Sequence, residues 1–154
     1  MDLFKELISV IKVLKGKRYL LAGGLAYALY VQPRFTEDID FVIVADDFEM
    51  IRQRLLRLGF LNQRNIMEFK KAKIGRCIKI KGGDTFTVDF LLIPKNIFAR
   101  FYQRHKIIKY GEMKLRVIAP EDLIKLKHDR ASPQNRLDIK QLWRVLKGQS
   151  ADEK

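Results

Sequence analysis

The chain carries a single cysteine, Cys77, so no internal disulfide can close and no cluster of zinc-binding thiolates can form. That fits a reducing compartment, and the expectation is a cytoplasmic protein. Long hydrophobic runs are also missing. The longest, residues 20–31, is 12 residues, well short of the ~20 that span a bilayer. Asp2, Lys5, Glu6 and Lys12 interrupt the N-terminus, which therefore does not read as a signal peptide. Histidine is scarce, and His105 and His128 stand too far apart to show metal-ligand spacing. Acidic residues are few beside basic ones: 18 Asp and Glu face 31 Lys and Arg, a formal charge of +13. Such a field concentrates polyanions, which points to nucleotide or nucleic-acid partners. A Lys-rich surface of a heat-adapted protein is the other reading, but heat adaptation raises Glu along with Lys.

What is present suits one folded unit. The hydrophobic share of 47% supplies a core, and 154 residues match the usual size of one domain, about 100–150 residues. We expect a single domain over residues 1–147 and a disordered tail over 148–154. Apolar residues at 3, 4, 7, 8, 11 and 14 recur at helical spacing, and Gly16 stands where a helix stops. A short apolar run over 19–22 leads into Gly23 and Gly24, and residues 25–31 read as a buried helix ended by Pro33. Residues 39–44 read as a strand. Asp46 or Asp47 is placed to cap a helix running to Leu58 and stopping at Gly59. Runs at 77–81 and 85–92 flank Gly82, Gly83 and Asp84 as a hairpin. A helix over 96–104, a hairpin of 107–110 with 114–118, a helix from Pro120 to Asp129 and a last helix over 136–147 complete the chain. Hairpins outnumber βαβ units, so the expected class is α+β, a central mixed β-sheet flanked by helices with helices at the C-terminal end.

The chemistry concentrates in three places. A strand feeding a glycine pair and then a helix presents backbone N–H groups where phosphates bind, and a Cβ there would hold phosphate oxygens off the backbone. Thirteen residues later come Asp38 and Asp40, two apart on a strand and so on one face, with Ile39, Phe41 and Ile43 on the other. Paired carboxylates repel unless a cation stands between them, and Mg²⁺ takes oxygen ligands. An isolated Asp-x-Asp at an exposed strand start is the bland alternative. The third place is Asp89, a lone carboxylate in an apolar strand, costly there unless paired or metal-bound. If its strand lies beside residues 39–44, Asp38, Asp40 and Asp89 form a triad able to hold two metals ~3.5–4 Å apart for an in-line phosphoryl displacement. A plain salt bridge of Asp89 with an arginine is the alternative.

Gly23-Gly24, the thirteen-residue gap, the run Arg34-Phe35-Thr36-Glu37-Asp38-Ile39-Asp40 and the later Val88-Asp89 resemble the signature of the polymerase-β-like nucleotidyltransferase superfamily. Within it the chain is similar to small stand-alone proteins related to the AbiEii abortive-infection toxins. The C-terminal run Ala119 to Lys127, followed by Arg136-Leu137-Asp138-Ile139, resembles the same group, and the likeness spans residues 19–143. It implies a nucleotidyltransferase fold, and transfer of a nucleoside monophosphate from a nucleoside triphosphate such as ATP to a hydroxyl, with two Mg²⁺ or Mn²⁺ ions. It further implies that Gly23 and Gly24 hold the triphosphate and that Asp38 and Asp40 bind metal. Asp89 would bind metal or activate the acceptor, and Lys127 and Asp138 would belong to the site. Arg34 and Thr36, just before the acids, either touch phosphate or fix the loop; Lys127 either touches phosphate or lies on a solvated helix face. Gly24 stands where many active members carry serine, and no acceptor-binding domain is visible. Two expectations therefore remain: an enzyme whose acceptor is RNA such as tRNA, or a protein; and an inactive nucleotide- or RNA-binding module, one half of a toxin–antitoxin-like pair with a partner protein. Tyr19, Tyr27, Tyr30, Phe35 and Phe41 either stack a base or fill the core, and Trp143 is expected to pack.

Overall fold

The N-terminal apolar spacing forms a helix, α1 (Leu3–Val13), with Leu7 and Val10 against the core, and Gly16 takes a φ of +84° in the turn that follows. The structure, a computed structural model, describes residues 3–33, 38–62, 65–69, 72–129 and 133–148. β1 (Leu20–Ala22) runs without a loop into α2 (Gly23–Tyr30), so the glycine pair is the first turn of the helix itself. β2 (Asp38–Val44) is followed by a short 3₁₀ turn and α3 (Phe48–Leu56). Neither Asp46 nor Asp47 caps α3. Asp47 has helical backbone angles and no capping hydrogen bond, and its carboxylate instead pairs with Lys17 Nζ at 3.4 Å. The 3₁₀ turn instead takes the N–H of Phe48 to the carbonyl of Ala45.

The middle of the chain holds more strand than its pattern suggests. β3 (Asn65–Phe69) and β4 (Ala72–Lys81) form a hairpin that the sequence reading did not separate, and β4 with β5 (Asp84–Ile93) forms the expected one around Gly82 and Gly83. α4 (Lys95–Arg104), β6 (Lys106–Tyr110), β7 (Met113–Val117), α5 (Pro120–His128) and α6 (Pro133–Leu146) follow. Among the described residues one sheet of seven strands runs in the order β3-β4-β5-β2-β1-β7-β6. β2 is parallel to β5 and β1 to β7; the other pairs are antiparallel. The sheet is therefore mixed and the class α+β, as expected.

Phe41 and Phe90 stack on one sheet face with centroids 5.6 Å apart. Phe48 of α3 lies over the same face, 5.9 Å from Phe90, in space left by Gly75. A Cβ on Gly75 would sit 2.3 Å from Phe48 Cζ, so glycine there admits the ring. The Glu6–Lys79 ion pair at 3.4 Å ties α1 to the same side. The other face of β2 and β5 is polar at one end, where Asp38, Asp40, Thr87 and Asp89 lie, and apolar beyond it, where Val42 and Leu91 join the core. No helix among the described residues is long and apolar enough to cross a membrane.

Candidate active site

Four strands place one row of residues across the sheet. Pairing aligns Arg76 of β4 with Asp89 of β5, Asp89 with Asp40 of β2, and Asp40 with Ala22 at the end of β1. Directly opposed residues share a sheet face, so the Asp40 and Asp89 side chains leave the same side of strands about 4.8 Å apart. Asp38 lies two residues before Asp40 on that side, exposed and opposite Thr87. The chain segments thus bring the three aspartates together on the face turned away from Phe41 and Phe90.

Gly23 completes the row. Its φ is +62°, and a Cβ built on it would lie 2.1 Å from Asp40 Oδ2 and 2.7 Å from Asp40 Cβ. The glycine is required first by the aspartate beside it, a reason that differs from the phosphate clearance expected from the sequence. The first turn of α2 carries no acidic side chain, so its N-terminal N–H groups have no carboxylate from their own turn.

Sequence reasoning did not single out Arg76. Its Nε donates to Asp89 Oδ1 at 2.9 Å and a terminal guanidinium nitrogen donates to Asp89 Oδ2 at 3.0 Å. The arginine's pKa is raised, first by the hydrogen bonds to Asp89, with the charges of Asp89, Asp38 and Asp40 adding to it. Asp89 is therefore both a member of the acidic row and the partner of an arginine. A signal existed: with Lys81 set against Asp84 across the turn, stepping five residues out along each strand meets Arg76 and Asp89.

Among the described residues no three carboxylate, imidazole or thiol groups converge on one point. The aspartates form an open row, with Arg76 holding both oxygens of Asp89. An open set of carboxylate oxygens is the donor chemistry Mg²⁺ takes when it keeps water and substrate phosphates in its shell. The residues fit such an ion in chemistry, provided that Arg76 releases Asp89.

Lys127 and Asp138 meet, though not in the row. Lys127 Nζ lies 2.9 Å from Asp138 Oδ2, both residues are buried, and the ammonium stands 5.6 Å from the ring centroid of Tyr27, one turn into α2. Gln134 also donates to Asp138 Oδ1 at 3.0 Å. Lys127 is thus no solvated helix face; its ammonium joins α5 to α6 and stands over a ring of α2. Arg34 and Thr36 lie outside the described residues, as do Phe35 and all of the expected tail but Gly148. Tyr19, Tyr27 and Phe41 belong to the core. Trp143 does not pack as expected: it is 46% exposed.

The family model described as "Nucleotidyl transferase AbiEii toxin, Type IV TA system" matches residues 7–140. No curated protein matches the chain. Solved structures do. One is the lincosamide antibiotic adenylyltransferase LnuA bound to lincomycin, at 17% identity and a TM-score of 0.65, covering 92% of this chain and 96% of that one. A second, called a putative nucleotidyltransferase, comes from Thermotoga maritima, at 15% identity and 0.63, with 94% and 92% covered. A third is ANT(2")-Ia in complex with adenylyl-2"-tobramycin, at 14% identity and 0.63, with 94% and 88% covered. These likenesses establish a nucleotidyltransferase fold.

Proposed function

The chain belongs to the AbiEii nucleotidyl transferase toxin family, and from that premise we propose that it moves a nucleoside monophosphate from a nucleoside triphosphate to an acceptor hydroxyl. The hydroxyl oxygen bonds to the α-phosphorus, the bond from that phosphorus to the bridging oxygen breaks, and pyrophosphate leaves. The observation that carries this reading is the register that sets Asp40 against Asp89, with Gly23 backed onto Asp40.

Asp38, Asp40 and Asp89 would hold two Mg²⁺ or Mn²⁺ ions, which supply charge neutralisation at the triphosphate. The N–H groups of Gly23, Gly24 and the first turn of α2 receive the phosphates, because orphan donors and the helix dipole both favour anions there. Arg34 and Thr36, four and two residues before Asp38, would add phosphate contacts. Asp89 accepts the acceptor's proton, which requires Arg76 to free one of its oxygens. Lys127 and Asp138 act from below, by holding α2 and its N-terminus in place. The +13 charge makes RNA, tRNA included, the favoured acceptor, in the cytoplasm.

A second reading is favoured by one observation, the guanidinium of Arg76 already seated on both Asp89 oxygens. In it the chain binds nucleotide or RNA without turnover, as half of a toxin–antitoxin-like pair with a partner protein. Incubation with α-labelled triphosphates, Mg²⁺ or Mn²⁺, and total RNA or protein separates the two. Label joined to a macromolecule supports transfer; triphosphate binding without any labelled product supports the module.

A further inference from the structure

The outer face of α6 has no part in the site. Arg136, Lys140, Trp143 and Lys147 recur at spacings of four, three and four, which puts them on one side of a helix; Arg144 follows Lys140 by one turn. With Ile139 they line a shallow concavity. Asp138 and Leu142, on the opposite side, are buried.

Three features set this face apart. Its four cations form no ion pair among the described residues. The one acid of the helix, Asp138, is held inside by Lys127. And Trp143 stands in the middle of the cations with 46% of its surface in water, although large aromatics are normally mostly covered. Positive charge that tracks a phosphate backbone, with an aromatic plane between the charges, is how single strands are bound: phosphates meet the cations and a base stacks on the ring. A protein partner for the same face would need an acidic surface.

We propose that the Arg136–Lys140–Trp143–Arg144–Lys147 face binds single-stranded RNA, with one base stacked on Trp143. The inner side of the same helix packs toward the candidate active site. Asp138, between Arg136 and Lys140, is tied through Lys127 to Tyr27, one helical turn past Gly23. That the bound strand is the acceptor rests on the transfer reading above; that it binds does not.

Trp143 is the single tryptophan of the chain, so its fluorescence reports on this face alone. Titrating the full chain with a twelve-nucleotide oligoadenylate should quench that fluorescence saturably. In wild type, affinity should fall as salt rises, and Lys140→Ala with Arg144→Ala should lower the slope of log affinity against log salt by about 1.4, two phosphates at ~0.7 each. Trp143→Ala, followed by anisotropy of end-labelled RNA, should weaken binding at least about tenfold, within the range of one lost stacked base. Both variants should keep the thermal shift that Mg²⁺ and ATP induce in wild type, which separates this surface from the nucleotide site. RNA bound with unchanged fluorescence, or equally well by both variants, overturns the proposal. So does polyglutamate quenching Trp143 as strongly as RNA, which would mark the face as one for an acidic protein. If wild type binds RNA through this face but shows no shift with Mg²⁺ and ATP, the surface stands and the transfer reading fails.

Discussion

Gly23 and Asp40 occupy space that cannot hold one more carbon: a Cβ on the glycine would lie 2.1 Å from the aspartate's Oδ2 and 2.7 Å from its Cβ. The second distance matters more, because a carboxylate can rotate while a Cβ is fixed by its strand. Gly23→Ala should therefore lose more than the ~1–2 kcal/mol of a side chain forced to a left-handed φ. Gly83→Ala is the control, with a φ of +84° and open space around it. Urea unfolding of both should show Gly23→Ala at least about twice as costly. Equal losses would mean that Asp40 and α2 move apart freely, and that their contact does not hold the site's shape.

Arg76 balances the charge of Asp89 without metal. Arg76→Gln should lower metal-free stability by roughly 1 kcal/mol, a modest figure because its side chain is 39% exposed and water screens the pair. The same change should tighten Mn²⁺ binding several-fold, since a carboxylate no longer has to be taken from a guanidinium. Calorimetric titration with Mn²⁺ reads this directly. Unchanged or weaker binding in the variant would show that Arg76 and the ion do not share Asp89.

Lys127 and Asp138 are a buried pair, and breaking one side leaves a charge stranded. Lys127→Met should cost about 3–5 kcal/mol, while Lys127→Met with Asp138→Leu should recover most of that loss. Denaturation midpoints of the two singles and the double give the coupling. The double variant also tests a phosphate role. If it folds well and keeps the Mg²⁺–ATP thermal shift, Lys127 only locks the helices; loss of the shift in a stable double variant would return Lys127 to the phosphates.

Burial pushes the Cys77 thiol up to about 12 from its ordinary 9.0. The folded state thus keeps a proton that the unfolded chain loses above pH 9. The unfolded state binds fewer protons between pH 9 and 12, so this contribution to stability is complete below pH 9 and falls as pH rises through that window. Cys77→Ala should flatten part of the loss in urea midpoint between pH 8 and pH 10.5. Native Cys77 should also resist a thiol reagent at pH 8 until denaturant is added. Fast labelling of the folded protein would contradict its burial.

Much of this was readable in the chain. The alternation Asp38, Asp40 against Ile39, Phe41 and Ile43 fixes which side of β2 is polar, and Asp89 inside an apolar strand demands a polar neighbour. Those two facts led to β2 beside β5, where the pairing sets Asp40 against Asp89. The hairpin at Gly82 and Gly83 was equally plain. β4 was read short because Gly75 and Arg76 break its apolar run, yet each is explained only across space, by Phe48 and by Asp89. The reason for Gly23 was likewise a tertiary contact with a residue seventeen positions away. For Lys127 the sequence leaves open a phosphate contact or a solvated helix face, because its partner Asp138 lies eleven residues on, across a helix junction that spacing does not resolve. Trp143 was assigned to packing because hydrophobicity marks which residues tend to be covered, whereas only the packing of α6 shows which of its sides is left out.

The central claim is that the Asp38–Asp40–Asp89 row transfers nucleotides, and Asp89→Asn tests it most directly. Asparagine keeps the shape and removes the charge that matters when the attacking oxygen gives up its proton. An interaction stronger in the transition state than in the ground state costs turnover more than affinity when it is lost. Labelled-triphosphate transfer, measured beside triphosphate binding, should show binding within roughly tenfold of wild type and transfer down by at least ~100-fold. Full transfer activity in Asp89→Asn would contradict the account.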